Sequence, residues 1–202
     1  MSTPPRLVLA SASPARLRLL QAAGIEPEVG VSGVDEATVG APGTAELVAR
    51  LARLKAEGVA AEPRFAGRLV LGCDSLLDVG GEARGKPADA AEAVSWWSEL
   101  RGAEAVLLTG HHLVDTASGW RAEAVTSTLV RFGRPSDEEI SAYVATGEPL
   151  GVAGGFTLEG RGAAFVQGVD GDPGNVIGLS LPTLRALLAE LGHRIVDLWS
   201  PS

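Results

Sequence analysis

Apolar positions along this chain recur in two patterns, short strand-like runs and helical repeats, and their alternation predicts an α/β fold. The first strand-like run, Arg6 to Ala10, is followed by two serines and by leucines spaced for one buried face of a helix. Ser13 is a good N-cap for that helix, Pro14 suits its first position, and Gly24 suits a left-handed cap at its end. The sequence therefore predicts a strand, a tight loop and a helix in this stretch.

The same two patterns predict the elements that follow, with no internal repeat and no long linker, so we expect a single domain over 1–202. The central strand is apolar on both faces, and two capping boxes mark helix starts. The expected elements are a strand at Ile25 to Ser32, a helix capped by Thr44 over about Glu46 to Glu57, the central strand at Arg68 to Val79, a helix from Asp89 to Leu100, a hairpin of Ala105 to Asp115 and Trp120 to Phe132, a helix capped by Ser136 and ending near Gly147, a glycine-rich region from Gly147 to Gly178, a helix from Ser180 to Gly192, and a final strand at Arg194 to Trp199.

Composition excludes several classes of protein. The 202 residues are 46% hydrophobic, which is enough for a proper core. The single cysteine, Cys73, excludes an internal disulfide framework and a multi-cysteine zinc site. No apolar run approaches the roughly 20 residues that span a bilayer, and the net charge of -8 disfavours a polymeric nucleic-acid partner. The N-terminus lacks a basic segment followed by an apolar core, so we expect a cytoplasmic protein.

The start of the first helix is suited to an anion. Backbone N–H groups at a helix start, joined here by the hydroxyls of Ser11 and Ser13 and the guanidinium of Arg16, favour a phosphate. The alternative is that serine and proline cap the helix and bind nothing. This stretch alone does not decide between the two.

The two lysines of the chain, Lys55 and Lys86, occupy constrained positions. Lys55 falls inside the apolar arc of its predicted helix, where a lysine either extends to water or finds a negative partner such as a phosphate. Lys86 lies on a short loop before a helix, and Pro87 forces it into an extended conformation. Each lysine therefore presents its charge at a defined place.

Three acidic residues are candidates for chemistry. Asp35 and Glu36 form either a solvated turn or a ligand for a hard cation, which prefers oxygen donors. Asp74 lies within an apolar strand, where a carboxylate needs a partner, and it is the strongest single functional signal. Its alternative role is structural, paired with an arginine or capping a turn. The adjacent His111 and His112 point to opposite faces of a strand and cannot serve one metal.

Together these residues suit the hydrolysis of a polyphosphate. A divalent metal held by oxygen ligands lowers the pKa of a bound water and neutralises charge on the departing group. A positioned carboxylate can accept the proton of the attacking water. The helix start and the two lysines supply the positive charge that a polyphosphate requires.

Short motifs extend over nearly the whole chain: Leu-Ala-Ser-Ala-Ser-Pro at 9–14, Asp35-Glu36, Lys55-Ala56, Cys73-Asp74-Ser75, Gly85-Lys86-Pro87, Thr109-Gly110, Gly147-Glu148-Pro149, Ala153-Gly154, and Gly171-Asp172 with Asn175-Val176-Ile177-Gly178-Leu179. Each motif is weak alone. In their order and spacing, the sequence resembles the family of Maf-like nucleoside triphosphate pyrophosphatases.

The resemblance implies cleavage of a nucleoside triphosphate between its α- and β-phosphates, giving a monophosphate and pyrophosphate. It implies that Asp74 is the proton acceptor and that Glu36 and Asp74 hold Mg²⁺ or Mn²⁺. The implied fold is an elongated, mixed and twisted β-sheet flanked by helices, with a cleft between two lobes, as in Maf and ITPase-like proteins. The residues implied to hold the triphosphate are Ser11, Ser13, Arg16, Lys55 and Lys86.

Three positions linked in that family to substrate preference carry Ala15, Ser75 and Glu159, where members often have arginine, threonine and glutamine. Base preference therefore stays open between dTTP or UTP, CTP, a modified nucleotide such as 7-methyl-GTP, and broad activity. Members of that family also often have a lysine at the position of Val152. The loss of positive charge at Ala15 and Val152 leaves an alternative function, a nucleotide-binding regulator of septum formation with little or no hydrolysis. The expected partner is a small-molecule nucleotide, and the sequence leaves a homodimer open.

Overall fold

The structure, a computed structural model, describes residues 6–200 and contains a mixed seven-stranded β-sheet flanked by helices. This confirms the predicted α/β fold class. The strands are β1 (Leu7–Leu9), β2 (Glu28–Val29), β3 (Leu69–Val79), β4 (Glu82–Arg84), β5 (Glu104–Asp115), β6 (Arg121–Phe132) and β7 (Val166–Asp170).

The helices are α1 (Pro14–Ala22), α2 (Thr44–Ala60), α3 (Ala90–Leu100), α4 (Asp137–Ala145), α5 (Pro173–Ile177) and α6 (Leu181–Glu190). Short 3₁₀ turns occupy Glu36–Thr38, Pro63–Phe65, Glu148–Gly151, Ala153–Gly155, Arg161–Phe165 and Ile195–Leu198. Within residues 6–200, none of the helices combines the length and the apolar character needed to cross a membrane.

The strands lie in the order β2-β1-β3-β5-β6-β7, and β4 pairs with β3. β1 is parallel to both β2 and β3, whereas β4 is antiparallel to β3 and β7 is antiparallel to β6. Parallel neighbours cannot be joined by a hairpin. A longer connection is needed in each case, and it contains a helix: α1 lies between β1 and β2, and α2 lies between β2 and β3.

The chain divides into two compact units. The first unit comprises Met1–Asp74, Thr109–Thr126 and Gly178–Ser202, and the second comprises Ser75–Leu108 and Ser127–Ile177. The long strands β3, β5 and β6 contribute residues to both units. A single domain over the whole chain stays a prediction.

In the first unit, alternation along the strands sends side chains to two separate cores. Odd-numbered residues of β1 and β3 pack with leucines of α1 and α6: Leu7, Leu9, Leu69, Leu71 and Cys73. Even-numbered residues pack with α2 in a second cluster: Val8 and Val70. Helices therefore cover both faces of these parallel strands, which explains why the strands are continuously apolar in sequence. The same alternation puts Asp74 on the face covered by α2.

The second unit is built around Trp97 of α3, which is fully buried. The Trp97 ring makes edge-on contacts with Phe132, Tyr143 and Phe165 at centroid distances of 5.8, 5.4 and 5.7 Å. Its indole Nε1 donates a hydrogen bond of 2.8 Å to the carbonyl of Gly155. Because a buried indole N–H needs an acceptor, this bond fixes the glycine turn against α3.

The predicted final strand at Arg194 to Trp199 is wrong. Ile195–Leu198 forms a 3₁₀ turn, and Arg194 donates to both carboxylate oxygens of Asp197, three residues later, at 3.0 and 2.6 Å. A pair three residues apart meets on one side of a turn but not along an extended strand. Trp199 joins the sheet region by one isolated antiparallel bridge to Ile25.

Two other stretches differ from the sequence pattern. The strand predicted at Ile25 to Ser32 narrows to β2, which pairs with β1 at Glu28 and Val29. The glycine-rich region from Gly147 to Gly178 contains β7 and α5. The pattern missed both elements because glycine contributes no hydrophobic periodicity.

The adjacent histidines of β5 have partners on opposite faces, as predicted. His111 Nε2 accepts a hydrogen bond of 2.9 Å from the backbone N–H of Ser180, just before α6. His112 Nδ1 lies 3.0 Å from the Glu123 carboxylate, and its Nε2 lies 3.9 Å from Glu57 of α2. Among the described residues, no three His, Cys, Asp or Glu side chains form a cluster that could hold a metal.

Mild acid should destabilise the fold through His112. Burial lowers the pKa of His112 from 6.5, and this outweighs the attraction of Glu123 and Glu57. Since the unfolded chain then takes up a proton at a higher pH than the folded chain, the free energy of unfolding falls as the pH drops through 6.5. Urea denaturation from about pH 7.5 to about pH 5.5 measures this slope. His112→Gln should flatten it, and an unchanged slope would contradict the assignment.

Candidate active site

The loop between β1 and α1 is organised by its two serines. Ser13 is the N-cap of α1, and its Oγ accepts a hydrogen bond from the backbone N–H of Arg16 at 3.4 Å. The backbone N–H of Ser13 donates to Ser11 Oγ at 3.2 Å. Gly24 closes the helix with φ +77°, as predicted. Capping therefore accounts for part of the serine pattern, and phosphate binding by Ser11 and Ser13 stays a prediction.

Arg16 is buried and held in a fixed orientation. Its Nε donates to the carbonyl of Gly178 at 2.7 Å and its Nη1 donates to Ser11 Oγ at 3.0 Å. Gly178 has φ +127°, and a Cβ there would lie 3.2 Å from Arg16 Nε. The positive φ favours glycine at 178, and the close approach of Arg16 leaves little room for a Cβ there. The guanidinium also lowers the pKa of Asp74, which places its charge within electrostatic reach of that carboxylate.

Two glycines let α2 lie directly on the sheet of the first unit. A Cβ on Gly72 of β3 would lie 2.2 Å from the carbonyl oxygen of Ala52, and one on Gly110 of β5 would lie 2.2 Å from that of Val48. Both distances are far below van der Waals contact. The backbone of α2 therefore packs against β3 and β5 at two positions that carry no side chain, and this close approach brings Lys55 to Asp74.

Lys55 joins two carboxylates from different parts of the first unit. Its Nζ lies 2.8 Å from Glu36 Oε1 and forms a hydrogen-bonded ion pair with Asp74 Oδ1. The side chains of Lys55 and Asp74 are 11% and 9% exposed, whereas that of Glu36 is 55% exposed. The buried face of α2 thus supplies the partner that Asp74 needs, and Lys55 takes a negative partner rather than extending to water.

The surroundings of Asp74 shift the pKa of its carboxyl group in opposite directions. Burial raises its pKa, the ammonium of Lys55 and the guanidinium of Arg16 lower it, and the neighbouring Glu36 raises it. The result is a pKa above the ordinary value for aspartate. A carboxylate with a raised pKa is a better proton acceptor than an ordinary surface aspartate.

The adjacent carboxylates of Asp35 and Glu36 make different contacts. Asp35 caps the 3₁₀ turn, since its Oδ1 accepts from the backbone N–H of Ala37 at 3.2 Å. Glu36 extends from the same turn to Lys55. Asp35 therefore follows the structural alternative, whereas Glu36 shares Lys55 with Asp74.

The donor set fits a hard divalent cation. Glu36 and Asp74 converge on one point, the Nζ of Lys55, and both offer carboxylate oxygens, which Mg²⁺ and Mn²⁺ prefer. Magnesium in phosphate-processing sites is commonly held by one or two carboxylates together with substrate phosphates. Two carboxylates are therefore sufficient protein ligands when a polyphosphate supplies the remaining oxygens.

The other predicted site residues have the following placements. Lys86 is exposed on the loop between β4 and α3, where the carbonyl of the preceding Gly85 accepts from the backbone N–H of Gly154 at 2.8 Å. Ser75 follows Asp74 on β3 and is half-buried, Ala15 is half-buried in the first turn of α1, and Glu159 is exposed. Lys86, Ser75 and Glu159 belong to the second unit, and the rest of the predicted site belongs to the first.

Sequence reasoning missed the residues that position the site rather than form it. Gly72, Gly110 and Gly178 act through close approach, and a glycine inside an apolar strand is the signal that could have indicated the first two. Glu148 was quoted only as part of a motif, yet its carboxylate accepts four hydrogen bonds. No local pattern distinguishes it from a surface glutamate.

This chain is similar to known proteins over nearly its full length. The family model described as "Maf-like protein" matches residues 6–191. A protein of Streptomyces coelicolor named nucleoside triphosphate pyrophosphatase is 62% identical over 98% of this chain and 96% of its own length. Proteins with the same name from Salinispora tropica and Thermosynechococcus vestitus are 58% and 53% identical, over 98% and 95% of this chain and 89% and 96% of their own lengths. This chain belongs to the Maf-like protein family.

Proposed function

We propose that this protein is a nucleoside triphosphate pyrophosphatase that cleaves between the α- and β-phosphates, releasing a nucleoside monophosphate and pyrophosphate. The proposal is carried by the buried carboxylate of Asp74, which shares the ammonium of Lys55 with Glu36 and whose pKa the guanidinium of Arg16 lowers. The names of the full-length relatives support the same activity. They do not favour the alternative of a regulator without hydrolysis.

Asp74 is the proton acceptor. A water molecule attacks one of the two phosphorus atoms flanking the α–β bridging oxygen, and its proton passes to an Asp74 carboxylate oxygen. The bond from that phosphorus to the bridging oxygen breaks, and the oxygen leaves with the other product. Burial raises the pKa of Asp74, which favours taking up this proton.

The cations orient the substrate. Ser11, Ser13 and Arg16 at the start of α1 bind phosphate oxygens through hydroxyl and guanidinium donors, and Lys55 and Lys86 add ammonium groups. Arg16 is pre-oriented by Gly178, so binding costs it little side-chain entropy. Glu36 and Asp74 would hold the Mg²⁺ or Mn²⁺ ion, which when bound supplies charge neutralisation for the departing group.

The preference among bases depends on Ala15, Ser75 and Glu159. Ala15 is uncharged and Glu159 is negative, so these positions add no positive charge to the substrate site. A nucleotide carrying a positive charge on its base, such as 7-methyl-GTP, suits a negative Glu159 better than a neutral base does. The substrate is a small nucleotide in the cytoplasm, and the net charge of -8 opposes binding of a nucleic-acid polymer.

A nucleotide panel tests the function. The protein is incubated with each standard nucleoside triphosphate and with 7-methyl-GTP, in Mg²⁺ or Mn²⁺, and pyrophosphate and monophosphate are measured separately. We expect equal amounts of the two products. Intact triphosphates throughout the panel would overturn the proposal, and release of inorganic phosphate with a diphosphate would place the cleavage at the wrong bond.

Arg16→Ala should raise KM about tenfold with a smaller change in kcat, because a charge-assisted hydrogen bond contributes about 1.5–3 kcal/mol to binding. Steady-state kinetics on the preferred nucleotide measures the two constants. Arg18→Ala is the matched control, since Arg18 is an exposed arginine of the same helix. If both variants keep the wild-type KM, the serine–arginine loop is a helix cap and not a phosphate site.

A further inference from the structure

A series of buried hydrogen bonds connects strand β5 to the guanidinium of Arg16. His111 Nε2 accepts from the backbone N–H of Ser180 at 2.9 Å. Two residues before Ser180, the carbonyl of Gly178 accepts from Arg16 Nε at 2.7 Å, and Arg16 Nη1 donates to Ser11 Oγ at 3.0 Å. All of these residues belong to the first unit, so the whole series lies within one compact part of the chain.

His111 supplies an acceptor that the backbone of Ser180 needs. Ser180 is the N-cap of α6 and is 1% exposed, and the backbone N–H groups at a helix start have no acceptor within the helix. A buried backbone N–H without an acceptor is costly. His111 is also 1% exposed, and it lies on β5, which is inside the sheet between β3 and β6. The sheet therefore gives Ser180 a fixed attachment point.

The direction of the Gly178 carbonyl depends on the residues that follow it. Gly178 has φ +127°, and glycine has little conformational preference of its own. After it, Leu179 is buried in the core of the first unit and Ser180 is held by His111. Without the His111 bond, the peptide after Gly178 could rotate, and its carbonyl would no longer be held towards Arg16 Nε.

The orientation of Arg16 affects binding because a guanidinium carries its donors in a fixed planar fork. Arg16 is 8% exposed, and its charge reaches the carboxyl of Asp74, whose pKa it lowers. An arginine that is already held in place loses less side-chain entropy when it binds an anion. Release of the Gly178 carbonyl would therefore weaken the binding of phosphate groups.

We propose that His111 is a positioning residue: through the backbone of residues 178–180, it holds the Arg16 guanidinium in the orientation that binds the phosphates of the substrate. The inference rests on the proposed function and adds to it a residue that acts through another side chain. The proton acceptor, Asp74, has its own partner in Lys55. A change at His111 therefore acts on KM and leaves kcat nearly unchanged.

His111→Leu tests the proposal, because leucine is of similar size but offers no acceptor. We expect KM on the preferred nucleotide to rise about fivefold with kcat within about twofold of wild type, and the affinity for inorganic tripolyphosphate, measured by calorimetry, to fall about fivefold. Hydrogen exchange at the Ser180 amide should become faster. His111→Gln should restore the wild-type values, since its side-chain oxygen can take the place of Nε2. His193→Leu is the control, because His193 contacts Asp115 in the same unit.

A double variant distinguishes positioning of Arg16 from general damage to the fold. Arg16→Ala has no guanidinium to orient, so adding His111→Leu should leave its KM unchanged, whereas independent effects would multiply to about fiftyfold. Multiplied effects would overturn the inference. It would also be overturned by a wild-type KM in His111→Leu, or by a His111→Gln variant that is as impaired as His111→Leu.

The proposed function and the role of His111 can fail separately. A wild-type protein that cleaves no nucleotide overturns the function, and the affinity for tripolyphosphate then tests His111 without cleavage. A wild type that binds no tripolyphosphate overturns the inference. If His111→Leu does not fold, His111→Asn takes its place, because its shorter amide cannot reach the position of Nε2. Equal tripolyphosphate affinities in His111→Asn and His111→Gln would then contradict the proposed role.

Discussion

Asp74→Asn should lower kcat for pyrophosphate release by about 10³-fold, since an amide cannot accept the water proton and a positioned general base contributes about 10²–10⁴-fold. The protein should stay folded, because asparagine has nearly the same volume and its carbonyl oxygen can still accept from Lys55. KM should change much less than kcat. Product release on the preferred nucleotide and circular dichroism measure the two properties.

Asp35→Asn is the matched control for that change. It makes the same chemical substitution next to Glu36, but the Asp35 side chain caps its own turn, and asparagine caps equally well. We expect activity within about twofold of wild type. An Asp74→Asn variant with wild-type kcat would exclude Asp74 as the base, and an equal loss in both variants would point to lost charge rather than lost proton transfer.

Gly72→Ala should lower the free energy of unfolding by about 3 kcal/mol, at the upper end of the usual cost of overpacking. The new Cβ would lie 2.2 Å from the carbonyl oxygen of Ala52 and 2.7 Å from the backbone nitrogen of Ala56, and neither atom can rotate away. For a chain of this length the shift in Tm is about 9 °C. Thermal denaturation measures it.

The same change should reduce activity, because Lys55 lies between the two α2 residues that the new methyl group would displace. Gly40→Ala is the control, since a Cβ at Gly40 meets no atom within 4 Å. It should leave both Tm and activity near wild type. A Gly72→Ala protein with an unchanged Tm would show that α2 can move off the sheet at little cost.

Local patterns were sufficient for much of the fold. The α/β class is confirmed, and the helices at α1, α2, α3, α4 and α6 begin close to their predicted caps. The predicted family is confirmed by the match over residues 6–191. Lys55 was predicted inside an apolar arc and is buried there. These predictions held because helix caps and apolar periodicity depend on residues close in sequence.

Other predictions were wrong or stayed undecided. The strand predicted at Arg194 to Trp199 failed because the local Arg194–Asp197 pair favours a turn over a strand. The residue pattern did not distinguish Asp35 from Glu36, and only the family resemblance indicated Glu36, since which carboxylate reaches Lys55 depends on the 3₁₀ turn that Asp35 caps. The metal and phosphate roles of these side chains stay predictions.

The sequence by itself determined most of the elements, the family and the list of candidate side chains, because each is encoded in short motifs and their order. Only the tertiary structure decided which of them meet: Lys55, Glu36 and Asp74 are separated along the chain and come together because Gly72 and Gly110 allow α2 to pack directly on the sheet. Because side chains alternate between the two faces along β3, Asp74 lies on the face that α2 covers. A contact of this kind is set by backbone approach between distant segments, for which no local pattern carries a signal.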